Sequence, residues 1–389
     1  MFLFRPLPWD YGVRNLFRRP ARSLLTLAAL TVVVLLVIVV VSFIQGLDAS
    51  LTVSGDPRVV LVHSLGASEN IENSTMPGNS AGLLRANIQD VQTRNGQAYV
   101  SPELYLGTEV RLNPEAPAAM GIVRGVAPAA MLVRGQFQLT EGDWPKSQEI
   151  LVGRLAATKL GAGELDMALG STLVFEGKSW RVAGRFSTGG SSLESEIWCR
   201  LEDLQSATKR QDLTLVALTM HSADDLPLVD EFCKERLDLE WEATPEVSYY
   251  ASLKKHYGPV RTVAWVIVGL IGGAGAFAGL NTMYGAVVGR VREIAALQTI
   301  GFSRRAIALS IVQEAVLLAS AGALLATGLA LLLLHGIAVR FTMGAFQLRV
   351  DHLAVTVGLC SGVAIGALGA IPPAIRAMRL SIVDALKAI

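Results

Sequence analysis

Four stretches of the sequence are apolar over more than the roughly 20 residues that a helix needs to cross a lipid bilayer. They predict transmembrane helices at residues 23–47, 260–289, 306–336 and 352–375. Hydrophobic residues make up 51% of the 389-residue sequence, which agrees with a membrane protein. The first stretch is too long for a signal peptide and is followed by three more, so we expect it to be a membrane span.

The segment between the first two spans, residues 48–257, has a different pattern. Short apolar runs that predict strands alternate with amphipathic patterns that predict helices. Each flank resembles a β-α-β unit, and two such units can share one sheet. We expect a sheet domain built from residues 57–112 plus 212–247, with residues 115–210 as an inserted subdomain. The predicted fold class is an α+β membrane protein, in which four transmembrane helices accompany a large α/β extracytoplasmic domain.

Basic residues are concentrated in three parts of the chain. Residues 1–22 contain five Arg and one acid, residues 289–305 four Arg and one acid, and residues 376–389 three basic residues and one acid. Residues 48–257 instead contain 19 basic and 28 acidic residues. Short segments rich in Lys and Arg stay on the cytoplasmic side of a membrane. We therefore expect cytoplasmic termini and extracytoplasmic positions for residues 48–257 and for the loop 337–351.

The two ends of the chain are predicted to lie next to the membrane. Residues 1–22 mix aromatic side chains such as Trp9 and Phe17 with arginines, which predicts a cytoplasmic amphipathic helix in the membrane interface. Residues 376–389 are predicted to form a cytoplasmic tail.

A short charged helix is predicted in the cytoplasmic loop between the second and third spans, residues 290–305. Its apolar residues recur at helical spacing after one acid, and a glycine follows them, as is common at helix ends. The residues concerned are Arg290, Arg292, Glu293, Ile294, Leu297, Ile300 and Gly301. One interpretation is a coupling helix that contacts a cytoplasmic partner. The other is a surface loop that only supplies positive charge on the cytoplasmic side.

Small residues in the spans predict close helix packing, because they let helix backbones approach one another. The candidate positions are Gly269, Gly273, Gly275, Gly279, Gly358, Gly362 and Gly366. Glu314 is the one clear acid in the spans. An intramembrane acid is a functional candidate, but Glu314 can also have a structural role by pairing with an arginine of the neighbouring loop. No polar stripe runs the length of a span, as a polar pore or a proton relay would need.

The sequence offers no catalytic or cofactor-binding motif. The GKS sequence at 177–179 resembles the end of a phosphate-binding loop, but Thr172 stands where that loop requires glycine. No two of the three cysteines lie at metal-ligand spacing, and Cys199 and Cys233 can either form a disulfide or remain buried thiols. We expect a non-catalytic membrane subunit with no catalytic, cofactor-binding or metal-binding residues, and no nucleic-acid partner.

Several parts of the sequence resemble the FtsX-type permeases. The loop pattern is carried by Asn281, Val287, Arg290, Glu293, Ile294, Leu297 and Gly301. The N-terminal matches are Arg14, Asn15, Leu16, Arg22 and Leu25, and the C-terminal matches are Pro373, Ala374, Ala377, Ala385 and Leu386. The sequence departs from the family at Ile382, where proline is usual. Residues 48–257 are similar to a MacB-type periplasmic core.

This resemblance implies a permease subunit of an ABC transporter of the MacB, lipoprotein-release or FtsX type, in the bacterial inner membrane. Such permeases work as dimers, with a second copy or a close homologue, and with two cytoplasmic ATPase subunits that bind ATP and Mg. Closing of the ATPases is expected to move the extracytoplasmic domain through the spans. MacB carries its ATPase on the same chain; this sequence has none, so a separate ATPase is expected.

Three roles are compatible with the resemblance. The first is export from the periplasm with an adaptor protein and an outer-membrane channel. The second is extraction of a lipid or lipoprotein from the inner membrane, and the third is signalling to a cell-wall hydrolase without a transported solute. We rank them in this order. The extracytoplasmic segment, 210 residues from 48 to 257, is large for a hydrolase regulator, which lowers the third role, whereas the sequence does not choose between the first two.

Overall fold

The structure, a computed structural model, describes residues 14, 16–18, 20–334, 336–342 and 344–379. As far as it is described, the chain divides into two compact units. The membrane unit is drawn from Met1–Gln45, Pro259–Ile337 and Leu348–Ile389, and the sheet unit from Gly46–Gly258 and Ala338–Gln347. Most of the predicted N-terminal helix 1–22 and of the predicted tail 376–389 lies outside the described residues.

Both units contain helices, and the longest ones lie mainly in the membrane unit. In chain order the α-helices of the described residues are α1 (Pro20–Ser54), α2 (Ser80–Asn87), α3 (Ala130–Val133), α4 (Ala156–Leu160), α5 (Leu201–Thr208), α6 (Leu226–Glu235), α7 (Glu246–His256), α8 (Gly258–Val288), α9 (Val291–Thr299), α10 (Arg304–Leu333) and α11 (His352–Arg379). Four of them, α1, α8, α10 and α11, are long and apolar enough to cross a membrane. The predicted fold class is therefore confirmed. Helices α1 and α11 continue past the predicted span ends at residues 47 and 375, because hydropathy detects only the apolar part of a helix.

Glycines allow close contacts between the helices of the membrane unit. At four of the predicted positions a Cβ atom would lie closer than 3 Å to a neighbouring helix. The distances are 2.6 Å at Gly358 (to Ile38), 2.7 Å at Gly362 (to Ala323), 2.6 Å at Gly366 (to Ala319) and 2.7 Å at Gly275 (to Val33). Helix α11 thus packs closely against α1 and α10 at Gly358, Gly362 and Gly366, where an added Cβ would clash.

The remaining predicted glycines, all in α8, are not tightly packed. The nearest atoms to a Cβ at Gly279 are 3.9 Å away, and a Cβ at Gly269 or Gly273 would meet no atom within 4 Å in the described part of the chain. Gly273 lies two residues from Gly275 and therefore points to a different side of the helix, whereas Gly279, four residues from Gly275, lies on the same side but farther from its neighbours. Gly369 was not among the predicted positions, and it packs closely against α8, because a Cβ there would lie 3.0 Å from the Leu280 backbone nitrogen.

The sheet unit contains one large mixed sheet. The strands of the described residues are β1 (Val59–Ser64), β2 (Thr93–Arg94), β3 (Gln97–Ala98), β4 (Val100–Val110), β5 (Ala119–Val126), β6 (Gln138–Gly142), β7 (Glu149–Gly153), β8 (Thr172–Phe175), β9 (Lys178–Ser187), β10 (Ile197–Arg200), β11 (Leu215–Thr219), β12 (Trp241–Pro245), β13 (Ala338–Phe341) and β14 (Gly344–Gln347). Ten of them form a sheet in the order β12-β1-β11-β4-β5-β10-β7-β9-β6, with β8 paired to β9. The β5–β10 and β7–β9 pairs are parallel.

The predicted insertion, residues 115–210, does not form a sheet of its own. Its strands continue the sheet of the flanking segments, because β5 pairs with β4 along eight positions from Glu103–Val126 to Val110–Ala119. A strand pattern in the sequence shows that a strand exists but not which strand it will pair with, so the continuity of the sheet was not foreseen.

Two smaller features complete the sheet unit. The β13–β14 hairpin lies in the predicted loop 337–351 and belongs to this unit. Cys199 and Cys233 are buried in the main core and are not joined by a disulfide. Burial raises the pKa of both thiols, that of Cys233 to about 12, so neither is a ready nucleophile.

Gly366→Ala is expected to lower the thermal stability of the protein, because the new methyl group would lie 2.6 Å from Ala319. Overpacking of this kind typically costs about 1–3 kcal/mol. Gly273→Ala is the matched control, and it should be neutral or slightly stabilising, since Ala is favoured over Gly in helices by about 0.5–1 kcal/mol. The measurement is the midpoint of thermal unfolding in one detergent. Equal shifts for the two variants would contradict the packing described for α11.

Candidate functional site

The predicted coupling loop forms a short helix between two turns. Helix α8 ends at Val288, α9 occupies Val291–Thr299, and α10 begins at Arg304. Gly301 follows α9 with a φ of 101°, a conformation that suits glycine. Ser303 then caps α10, because its hydroxyl accepts a hydrogen bond from the Ala306 amide at 3.3 Å. The local sequence thus fixes both the end of α9 and the start of α10.

Helix α9 is amphipathic, but its apolar residues do not all face the same environment. Ile294 is buried and Leu297 is half-buried, and both pack in a cluster with Val287, Ala306 and Ile307. In contrast, 75% of Ile300 is exposed. The predicted apolar residues therefore divide into two sets: Ile294 and Leu297 attach α9 to its own chain, and Ile300 faces outward.

The exposed side of α9 also carries polar residues. Arg292, Glu293 and Thr299 are exposed in the structure, as is Gly301 just after the helix. Glu293 and Ile300 are seven residues apart, which is close to two helical turns, so they lie on one side of the helix. This side of α9 combines an acidic group and an apolar side chain, and both are accessible.

Glu314 of α10 forms an ion pair with Arg290 of the loop. The Arg290 guanidinium donates two hydrogen bonds, from Nη1 at 2.8 Å and from Nη2 at 3.1 Å, to the two carboxylate oxygens. The two side chains are only 13% and 10% exposed, and Arg22 also attracts Glu314 electrostatically. Glu314 is thus paired with an arginine of the neighbouring loop, as the structural interpretation requires. The pair borders a cavity of about 30 Å³, which has room for only one or two water molecules.

A second set of charged residues, in the sheet unit, was missed by the sequence analysis. It is one buried network of five side chains: Glu103 of β4, Arg124 of β5, Glu246 of α7, and Arg134 and Glu196. Arg124 donates to Glu103 at 2.6 Å and to Glu196 at 2.7 and 2.6 Å. Arg134 donates to Glu103 at 3.1 and 2.9 Å and also to Glu246. The available signal was a charged residue inside an apolar strand pattern, as at Arg124.

The carboxyl groups of this network have opposite pKa shifts. Burial alone would raise the pKa of Glu103, but Arg134 and Arg124 outweigh it, and the pKa of Glu103 is lowered. At Glu246 burial prevails over the attraction of Arg134, so the pKa of Glu246 is raised. Glu246 is therefore the less fully compensated carboxylate of the two.

The fold and the loop define a class of protein, a multi-pass membrane protein with a large α/β unit between its first two spans. Two family models match the sequence. Residues 23–231 match the MacB-like periplasmic core domain, and residues 265–382 match the FtsX-like permease C-terminal region. The chain belongs to the ABC transporter permeases of the FtsX/MacB type, as the resemblance predicted. Its extracytoplasmic domain is thus periplasmic or extracellular, and permeases of this family act with a partner ATPase and typically lack the ATPase domain themselves.

Individual relatives are distant. The chain is 22% identical over 382 residues to the uncharacterized ABC transporter permease YknZ of Bacillus subtilis (strain 168), across 94% of this chain and 95% of that protein. The periplasmic region of MacB from Actinobacillus actinomycetemcomitans aligns at 11% identity over 51% of this chain and 92% of its own, with a TM-score of 0.38. The extracellular domain of the transporter YknZ from Gram-positive bacteria aligns at 13% identity over 48% of this chain and 99% of its own, with a TM-score of 0.37.

Glu314→Gln is expected to destabilise the protein, because it leaves the half-buried Arg290 without a full countercharge. Removing one partner of a buried ion pair costs about 3–5 kcal/mol, whereas replacing both partners by apolar residues is often neutral. The double variant Arg290→Met/Glu314→Met should therefore unfold at a higher temperature than Glu314→Gln. Thermal unfolding in detergent measures both.

Glu293→Gln is the control for this experiment, because it changes an exposed acid close to the same ion pair. A surface change of this kind is usually worth less than about 0.5 kcal/mol. If Glu314→Gln unfolds at the wild-type temperature, the ion pair does not support the structure, and a direct functional role for Glu314 becomes the better interpretation.

Proposed function

We propose that this permease transmits ATP hydrolysis on a separate cytoplasmic ATPase to its extracytoplasmic sheet unit, and that the motion drives export with a periplasmic adaptor and an outer-membrane channel. The proposed assembly contains a second permease copy or a close homologue, and lies in a bacterial inner membrane with both termini of this chain in the cytoplasm. ATP and Mg bind to the ATPase in this scheme, not to this chain.

The exposed side of α9 is the observation that carries this proposal. Ile300 is 75% exposed at the end of a helix whose Ile294 and Leu297 pack internally. An exposed apolar side chain near an acid suits a groove with an apolar pocket and a basic residue. The opposite side of α9 is held by Ile294 and Leu297, so a force applied to α9 would pass directly to the ends of α8 and α10.

The composition of the spans supports a mechanical role. In the described residues of α1, α8, α10 and α11, charged side chains lie near the helix ends, apart from Glu314, which is paired. A polar solute would therefore find no line of polar groups along the spans. A substrate that is already on the extracytoplasmic side needs none, because export through an adaptor does not require it to cross this permease.

Ile300→Asp and Glu293→Lys are each expected to reduce the amount of ATPase that co-purifies with the permease by more than tenfold. The first places a charge in an apolar pocket, and the second replaces attraction by repulsion. Losing one partner of a buried interfacial charge pair costs roughly 2–5 kcal/mol, and about 1.4 kcal/mol corresponds to tenfold in affinity. The measurements are the stoichiometry of the purified complex and its rate of ATP hydrolysis.

Matched controls are available in the sheet unit. Leu237 is 79% exposed, so Leu237→Asp repeats the change made at Ile300, and Glu235→Lys repeats the change made at Glu293. Both controls should retain the ATPase. If the α9 variants also keep a full complement of ATPase with unchanged turnover, α9 is not the coupling element.

The orientation is tested with single cysteines in a variant whose three native cysteines are replaced by alanine. Ser222→Cys, exposed in the sheet unit, should react with a membrane-impermeant maleimide in intact spheroplasts. Thr299→Cys, exposed on α9, should react only after the membrane is permeabilised. This expectation follows from the arginine distribution, and the reverse labelling pattern would overturn the orientation.

A further inference from the structure

The sheet unit contains a cavity of about 100 Å³ that the proposed coupling function does not use. Its walls come from the last residues of α1, from α7, from the β13–β14 hairpin and from the large sheet, all within this unit. Its aromatic lining consists of Tyr105, Tyr249, Tyr250, Tyr257, Phe341 and Phe346. This cavity is smaller than the engineered cavity of about 150 Å³ that admits benzene, so it has room for no more than the head of a small organic molecule.

The buried charge network forms part of the cavity wall. Arg124, Arg134, Glu196 and Glu246 line the cavity, and Glu103 contacts both arginines. All five side chains are at most 7% exposed. With every member ionised, three carboxylates oppose two guanidinium groups, which leaves one negative charge in excess.

The Asp56 amide donates a hydrogen bond to Glu246 at 3.0 Å, but the neighbouring charged side chains do not balance the excess. Lys254 of α7 is paired with Asp48 of α1 at 3.5 Å. Glu72 acts electrostatically on Tyr105 and Tyr249 and adds to the negative potential. A buried charge without compensation is unfavourable, and the raised pKa of Glu246 reflects that burial. The cluster would be balanced by one more positive charge in the cavity or by a proton on Glu246, whose pKa is raised.

One hydrogen-bond donor in the wall also lacks a partner. The Nε–H of Arg134 is buried, and no acceptor for it is found among the described residues. A buried polar group in this state costs free energy until water or a ligand satisfies it. Because this nitrogen has almost no accessible surface, a ligand in the cavity can accept from it only after a small movement of the Arg134 side chain.

The aromatic residues suit a cationic ligand. The Arg124 guanidinium already lies 4.6 Å from the centre of the Tyr105 ring, which is a cation–π arrangement. Tyr249 and Tyr250 meet edge to face with their centroids 5.2 Å apart. Burial raises the pKa of both phenols, that of Tyr249 to about 12, so the rings are neutral and keep the negative π-faces that attract ammonium groups.

We propose that this cavity binds a small organic ammonium ion that also carries a hydroxyl or another oxygen acceptor. The ammonium group balances the excess carboxylate charge and contacts the tyrosine rings, and the oxygen accepts the hydrogen bond from Arg134. A free solute and a lipid headgroup share this chemistry. The site is a property of the sheet unit and does not depend on the proposed coupling to an ATPase.

Choline and 3,3-dimethylbutan-1-ol form the test pair, because they have the same shape and differ in charge. The full-length protein is placed in phosphatidylglycerol nanodiscs, which contain no competing choline headgroup, and binding is measured by isothermal titration calorimetry. Choline should bind at least about tenfold more tightly than the neutral alcohol. Equal affinities, or no binding of choline at millimolar concentration, would overturn the proposal.

Two variants connect binding to the named residues. Glu246→Gln removes the excess charge and should abolish most of the preference for choline, and Tyr249→Leu should weaken choline binding more than binding of the alcohol. The second variant keeps the test valid if the first fails to fold. Glu231→Gln, an exposed acid on α6 outside the cavity, is the control and should bind choline as the wild type does. Unchanged preference in both cavity variants would refute the site.

Binding of glycerophosphocholine distinguishes a lipid headgroup from a free solute as the source of the ligand. If it binds as tightly as choline, the site accepts a headgroup with its phosphate attached, which supports the proposal and assigns the lipid source. If choline alone binds, the proposal is supported with a free solute as the ligand, since the phosphate is repelled by the excess negative charge.

Discussion

The membrane unit depends on one constraint, which is that the hydrocarbon core of a bilayer offers no hydrogen-bonding partner to the protein. Peptide groups within it must bond to one another, and helices achieve this. Lipid is also as apolar as the side chains, so helices associate by close packing and not by the hydrophobic effect. The glycine face of α11, which includes Gly358, Gly362 and Gly366, meets this second requirement. The same constraint explains why Glu314 is held by Arg290 and not left unpaired.

The ion pair has a consequence for α9. Arg290 directly precedes this helix, and its guanidinium is fixed to α10 by two hydrogen bonds. Further along, Ile294 and Leu297 are packed in the same unit. Helix α9 is thus attached near its start by charge and along its inner side by apolar contacts, which leaves little freedom for it to move independently. A helix held in this way can transmit a displacement, whereas a flexible surface loop would absorb it.

The sequence predicted the features that depend on local periodicity. Hydropathy located four helices, and the spacing of small residues found the packed face of α11. Periodicity failed where the outcome depends on a distant part of the chain. It could not separate Gly275, which is tightly packed, from Gly273, which is not, because the difference lies in the position of α1. It also could not show that β5 pairs with β4, nor that Arg124 of β5 would meet Glu196, 72 residues away in sequence.

The buried network in the sheet unit is poorly explained as a device for stability. Replacing buried ion pairs by apolar residues of similar volume is often neutral or stabilising, so such pairs are weak evidence for a structural role. A network that is also short of one positive charge is less favourable still. The network lies in the wall of an aromatic cavity, where its excess charge can bind a cation. The desolvation that makes an uncompensated carboxylate costly also strengthens its attraction for such a cation. Glu246 is the first residue of α7, so a ligand that neutralises it would act at the start of that helix, whose sequence leads through Tyr257 into the second span.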